Sequence, residues 1–167
     1  MRIVRALLFA CLSWVNCVLA AEVGVTDNSI LIGMTAPFSG PNGAYGLDMK
    51  MVINAYFRQI NDAGGIHGRR LELRALDDGY ETDRAVANTR ALISQEKVFA
   101  LVASYGSSPT TAAMNEVFGV AKVPLVGAIS GADSIRQLPR DNPKNRYMFN
   151  VRASYANETE AIVNQLV

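Results

Sequence analysis

Beyond its first twenty-one residues the chain has no cysteine. Its two cysteines are Cys11 and Cys17, and both lie in an apolar leader. Without the leader there is no disulfide and no thiol chemistry. Histidine is nearly absent too, since His67 is the single one. That removes most zinc arrangements, and His67 falls in the turn "GGIHGRR", where a solvated side chain is the plain reading. Phosphate-cradling motifs are missing. "GPNGAYG" has the spacing GxxGxxG rather than GxGxxG, and no GxxxxGK[ST] occurs, so a nucleotide cofactor is not expected. "GAISG" is not the GxSxG of a hydrolase nucleophile elbow. No run of like charge is present, and 16 basic residues stand against 15 acidic ones. Nucleic acid and anionic membrane surfaces call for clustered Lys and Arg, so neither is an expected partner. No metal and no cofactor are expected.

The leader is distinctive. Arg2 and Arg5 precede the apolar run Ala6–Leu12, which continues through Trp14, Val15, Val18 and Leu19 to Ala20-Ala21. A basic start, a short apolar middle and small residues at the end describe a secretory signal peptide over residues 1–21. A membrane anchor would need about 18–20 apolar residues, and Ser13 and Asn16 break this run. "LFAC" and "WVNC" are poor lipid-attachment sites. Removing Arg2 and Arg5 leaves 14 basic residues against 15 acidic. Residues 22–167 suffice for one core. The last stretch, "YANETEAIVNQLV", reads as a helix that stops without a closing turn, so a longer protein is expected.

The remainder alternates strand and helix. "SILIGMTA" reads as a buried strand. Met49, Val52, Ile53, Tyr56, Ile60 and Ala63 follow helical spacing over Leu47–Ala63, ended by Gly64-Gly65. "RRLELRALD" alternates with period two and reads as a strand. A helix follows over Asp83–Lys97, then the strand "VFALVAS". Thr110–Ala121 reads as a helix with Met114, Val117, Phe118 and Ala121 inward. "VPLVGAI" and "RYMFNVR" read as further strands, and a last helix begins after Tyr155 with Asn157 as its cap. This rhythm predicts an α/β fold, a mostly parallel, doubly wound sheet with helices on both faces.

Ligands of such sheets sit outside the carboxyl ends of the strands. Three polar loops belong there: Pro37–Gly46, Ser104–Thr110 and Ile129–Ser134. In "SYGSSPT", Gly106 lets backbone approach closely, and Ser107 and Ser108 add hydroxyl donors at a helix start. The junction reads as an anion seat without a charged side chain; the alternative is that Ser108 merely caps its helix. Asp77-Asp78 ends a strand. It could bind a cation or act as an acid–base pair, but adjacent strand residues point to opposite faces, which favours a structural role in the turn.

Taken together, "IGMTAPFSGPNGAYG", "INDAGGIHGRRLEL", "DDGYETDRAVANTRALI" and "LVASYGSSPT" resemble the first lobe of type I periplasmic binding proteins of the leucine/isoleucine/valine-binding family. The resemblance runs from Ile30 to about Glu160. It implies two α/β lobes closing on a small amino-acid-like ligand, a periplasmic location, and delivery to an inner-membrane ATP-driven permease. By position it implies that Ser107 holds the ligand's carboxylate, that the backbone at Ile129 accepts from its ammonium, and that Ser130 and Gly131 contact the zwitterion. Tyr45 would line the wall, with Tyr105, Gly106 and Ser108 beside it. Two departures stand out. Some relatives join the turn after the second strand to the Ser-rich loop by a disulfide, where this chain has Tyr80 and Gly106. Gly131 stands where some relatives place a threonine on the ammonium.

Two rivals to the transport role remain. The same lobe could be the sensor half of a signalling protein. An exported enzyme would use Asp77, Asp78 or Ser107 as its reactive group, but no catalytic constellation accompanies them, so no enzyme is expected.

Overall fold

A computed structural model describes residues 22–166. The signal segment and its cysteines lie outside the described residues. Five parallel strands form one sheet: β1 (Ser29–Ala36), β2 (Arg70–Asp77), β3 (Ala100–Val102), β4 (Leu125–Val126) and β5 (Met148–Phe149), in the order β2-β1-β3-β4-β5. β1 and β2 pair along their whole length, from Ser29 opposite Arg70 to Ala36 opposite Asp77. β2 is an edge strand, and its alternation exposes Arg70, Glu72 and Arg74. That is the period-two pattern of a half-buried strand.

The helices divide between the two faces. α1 (Gly43–Asp62) sends Met49 and Ile53 onto Met34, Ala36 and Ala103. On the other face α2 (Thr82–Ser94), α3 (Ser107–Ala113) and the turn that follows it supply Leu92, Ala113 and Met114 to a core with Leu101, Leu125 and Met148. α3 runs on through a π turn, Met114–Phe118, and a short helical end, Gly119–Ala121. α4 (Tyr155–Leu166) follows β5. The fold is therefore the expected parallel α/β sheet with helices on both faces. Among the described residues no helix is long and apolar enough to cross a membrane.

Several boundaries differ from the sequence expectation. α1 starts at Gly43, four residues before Leu47, and Val52 and Tyr56 of its apolar stripe face solvent. α3 starts at Ser107 rather than Thr110, and Ala121 is exposed. The expected strand 146–152 shrinks to Met148–Phe149, because Pro143–Tyr147 coils into a 3₁₀ turn capped by Asn142. The cap of α4 is Ser154, whose Oγ accepts from the Asn157 N–H at 3.0 Å. Asn157 sits inside the first turn instead, where its Oδ1 accepts from the Ser154 hydroxyl at 2.6 Å.

Candidate functional site

Parallel strands place all their following loops on one edge. The loops after β3 and β4 go further and pair with each other, Tyr105 bridging Ile129. Ile129 N–H donates to the Ser104 carbonyl at 2.8 Å, and Gly106 N–H to the Ile129 carbonyl at 3.2 Å. Ala103 turns the chain out of β3 with φ of 53°. The buried hydroxyls of Ser104 and Thr110, 3.0 Å apart, tie the loop to the first turn of α3.

This pairing joins two serines that are 23 positions apart. Ser107 Oγ lies 2.9 Å from Ser130 Oγ, and Ser130 is fully buried. Ser130 Oγ also accepts from the Ala132 N–H at 3.1 Å. Tyr105 stacks on Tyr45, in the first turn of α1, with centroids 5.6 Å apart and planes 19° from parallel. Tyr80, after β2, meets Tyr105 edge-on at 5.6 Å. Burial pushes the Tyr105 phenol up, and the neighbouring phenols of Tyr45, Tyr80 and Tyr155 add to the effect. The arrangement is an open shelf of hydroxyls beside a tyrosine wall, built on four loops.

The residues singled out from sequence converge here with one exception. Tyr45, Tyr105, Gly106, Ser107, Ile129, Ser130 and Gly131 share this edge. Ser108 faces outward and is exposed, lining a shallow recess of about 490 Å³ with Ser107, Thr82 and Thr111. Nor is Ser108 the cap of α3. Gly106 occupies that position, and no side chain bonds the cap.

Comparison with known proteins places this edge in context. Residues 29–167 match the family model described as "Periplasmic binding protein". The chain belongs to the periplasmic binding protein family. A "Leu/Ile/Val-binding protein homolog 7" of Brucella abortus is 30% identical over 127 residues, 75% of this chain and 31% of that protein. The crystal structure of a possible leucine/isoleucine/valine-binding protein from Rhodopirellula baltica superposes with a TM-score of 0.75 at 32% identity, covering 87% of this chain and 36% of that one. A branched-chain amino acid transporter substrate-binding protein from Streptococcus pneumoniae, in complex with isoleucine, gives a TM-score of 0.67 at 29% identity, covering 76% and 34%. The chain spans about a third of the length of these relatives.

The binding-protein edge includes residues that sequence reasoning passed over. Tyr155 Oη lies 3.1 Å from Ser107 Oγ, and Tyr155 N–H donates to the Gly131 carbonyl at 2.9 Å. Its ring fills the space beside Gly131, where a Cβ would come within 2.4 Å of Cδ1. The Ser107 hydroxyl holds the Tyr155 phenol below its ordinary range. Arg152 lies over the Tyr155 ring at 5.3 Å and pairs with Glu158 at 2.7 Å. Arg136 fastens the floor by donating to the carbonyls of Ser130, Ala132, Arg152 and Ala153 at 2.7–3.0 Å. A partial signal was available: "NVRASYANE" also follows a strand, which puts Tyr155 on the same edge without giving its partners.

The aspartate pair is structural. Asp77 accepts from Ser39 Oγ at 2.6 Å, Phe38 N–H at 2.7 Å and Gly79 N–H at 2.9 Å. Chiefly through the Ser39 bond, its carboxyl is lowered to about 2. Asp78 is buried, accepts from Thr35 Oγ1 and Tyr80 N–H, and is pushed up by burial. The pair fastens the loops after β1 and β2 and leaves no oxygen facing the shelf unpaired. His67 is exposed, in the connection between α1 and β2 at the opposite edge of the sheet. Among the described residues no three His, Cys, Asp or Glu side chains cluster as metal ligands.

Proposed function

We propose that this chain is the first, ligand-receiving lobe of a solute-binding component. In this role it captures a small carboxylate-bearing solute the size of an amino acid in the periplasm and delivers it to an inner-membrane ATP-driven permease. The observation that carries the reading is the hydroxyl pair of Ser107 and Ser130 set beside the stacked Tyr45 and Tyr105 on one sheet edge. Hydroxyls and backbone donors hold a carboxylate without a charged side chain, and tyrosine rings cover an apolar body.

Binding rather than turnover follows from the company Ser107 keeps. Its Oγ contacts two other hydroxyls, Ser130 and Tyr155, and neither is a base able to take its proton at neutral pH. Ser107→Ala is therefore expected to weaken binding by about 1–3 kcal/mol for the lost charge-assisted bond. Titration of the purified chain with small carboxylates, followed by NMR, measures this. Unchanged affinity in that variant would sink the seat. Uptake of the labelled solute by cells with and without the gene tests the transport role.

A further inference from the structure

The shelf is open at Ser107 and closed at Ser130. Ser107 is part-buried and borders the recess beside Thr82, whereas Ser130 is fully buried. Tyr155 lies at the closed end. Its ring rests against Gly131, where an added Cβ would meet Cδ1 at 2.4 Å, Cε1 at 2.7 Å and Cγ at 2.8 Å. Its Oη reaches Ser107 Oγ at 3.1 Å, on the same oxygen that Ser130 Oγ meets at 2.9 Å. A solute carboxylate accepts hydrogen bonds and has none to give. To engage both serines it needs the ground that the ring covers beside Gly131 and the place that Oη holds on Ser107. The phenol oxygen already stands where a carboxylate oxygen would go.

The attachments of this ring are exchangeable. Tyr155 is exposed, and α4, which it opens, buries none of its residues. The turn is held by polar bonds: Tyr155 N–H to the Gly131 carbonyl at 2.9 Å, the Ser154 cap, and Arg152 paired with Glu158. Rotation about the Cα–Cβ bond of Tyr155 breaks none of these. It gives up only the Ser107 bond, the contact with Gly131 and the Arg152 cation over the ring. Tyr105 has no such freedom, since Tyr45 stacks on it and Tyr80 meets it edge-on.

Resting on the reading of the shelf as a carboxylate seat, we propose that Tyr155 is a displaceable plug of that seat, its hydroxyl occupying on Ser107 the place that a carboxylate oxygen takes when the ring swings out. Apparent affinity is then the intrinsic affinity reduced by the fraction of molecules with the ring out. Removing the hydroxyl raises that fraction and tightens binding of any carboxylate that uses Ser107.

Tyr155→Phe keeps the ring and removes only the competing hydroxyl. The probes are sodium acetate, to about 100 mM, and L-leucine, to about 10 mM, titrated into the purified chain and followed by amide NMR. The parent is compared with Tyr155→Phe, Ser107→Ala and the double variant, with melting temperatures as the control on folding. Tyr155→Phe is expected to bind about three- to tenfold tighter than the parent, and the double variant to show no gain over Ser107→Ala. In the parent, the ring resonances of carbon-labelled Tyr155 should shift toward those of a solvated tyrosine as the probe binds. Weaker binding by Tyr155→Phe overturns the plug and makes the hydroxyl a contact of the solute, with the seat standing. Equal affinity overturns it as well, because the hydroxyl then competes for nothing. Binding that survives Ser107→Ala unchanged, or no binding of either probe by any of the four chains, sinks the seat and the plug together.

Discussion

The ring of Tyr80 occupies the space that a side chain at Gly106 would need. A Cβ there would lie 2.4 Å from Cε2 and 3.1 Å from Cζ of Tyr80. Gly106 also has φ of 92°, a conformation that costs an L residue energy of its own. This contact packs the Ser-rich loop against the turn after β2. Gly106→Ala is therefore expected to destabilise the chain by about 2–4 kcal/mol in chemical denaturation. Adding Tyr80→Ala should recover the steric share and leave the backbone share, about 1 kcal/mol. A Gly106→Ala variant as stable as the parent would show that the contact carries no strain.

Arg136 ties two segments together, alongside the Asn150 Nδ2 bond to the Ile135 carbonyl at 2.8 Å. Its donors reach the loop after β4, through Ser130 and Ala132, and the segment before α4, through Arg152 and Ala153. Arg136→Met keeps the length and removes the fork, leaving the part-buried Ser130 and Ala132 carbonyls without these donors. The expected loss is about 1–3 kcal/mol. Amide exchange should quicken at Tyr155, whose N–H donates to the Gly131 carbonyl beside this clamp, and remain unchanged along β1 and β2. A uniform change across the sheet would mean that Arg136 supports the whole fold and not this junction.

The parallel sheet was legible because its signals are local and strong. β1 is a continuous apolar run, β2 alternates, and glycine ends α1. The convergence of the candidate residues was legible to the extent that one rule, ligands at strand ends, gathers Tyr45, Ser107 and Ser130 from three distant loops onto one edge. Tyr155 and Arg136 were missed for a physical reason. Their roles depend on which backbone carbonyls lie within reach after the chain has turned twice, and no spacing encodes that. The outward turn of Ser108 has the same origin, since starting α3 three residues early rotates it away from Ser130. The apolar spacing of Val52 and Tyr56 promised burial, but only the part of α1 bearing Met49 and Ile53 lies on the sheet.

Asp77 gives the chain an acid-sensitive joint. Its folded carboxyl is lowered to about 2 from 3.8, first by the Ser39 hydroxyl and then by the N–H groups of Phe38 and Gly79, with Arg84 adding to them. A depressed folded pKa contributes stability that is complete above the unfolded value and lost as pH falls toward the folded one. The melting-temperature gap between the parent and Asp77→Asn should therefore be widest above about pH 4 and close toward pH 2. Asp78, pushed up by burial, acts in the opposite sense, so the single Asp77 variant is needed to see the effect. A gap constant from about pH 2 to 6 would mean that the Asp77 bonds do not depend on its charge.

Gly46 sets where α1 begins and so where Tyr45 stands. A Cβ at Gly46 would fall 1.8 Å from the carbonyl oxygen of Pro37 and 2.7 Å from its carbon. Both are backbone atoms, so no side chain can swing aside. The Pro37 segment is itself fixed, because Asp77 holds the next N–H, that of Phe38, at 2.7 Å. Relief has to come from α1 moving outward, and Tyr45, the adjacent residue, moves with it. Gly46→Ala is expected to cost about 2–4 kcal/mol. It should also open the Tyr45–Tyr105 stack, seen as loss of near-ultraviolet tyrosine dichroism in the fraction that remains folded. Loss of stability with that dichroism intact would mean that the strain is absorbed at Pro37, and that the position of Tyr45 is set by its stack with Tyr105 and not by the first turn of the helix.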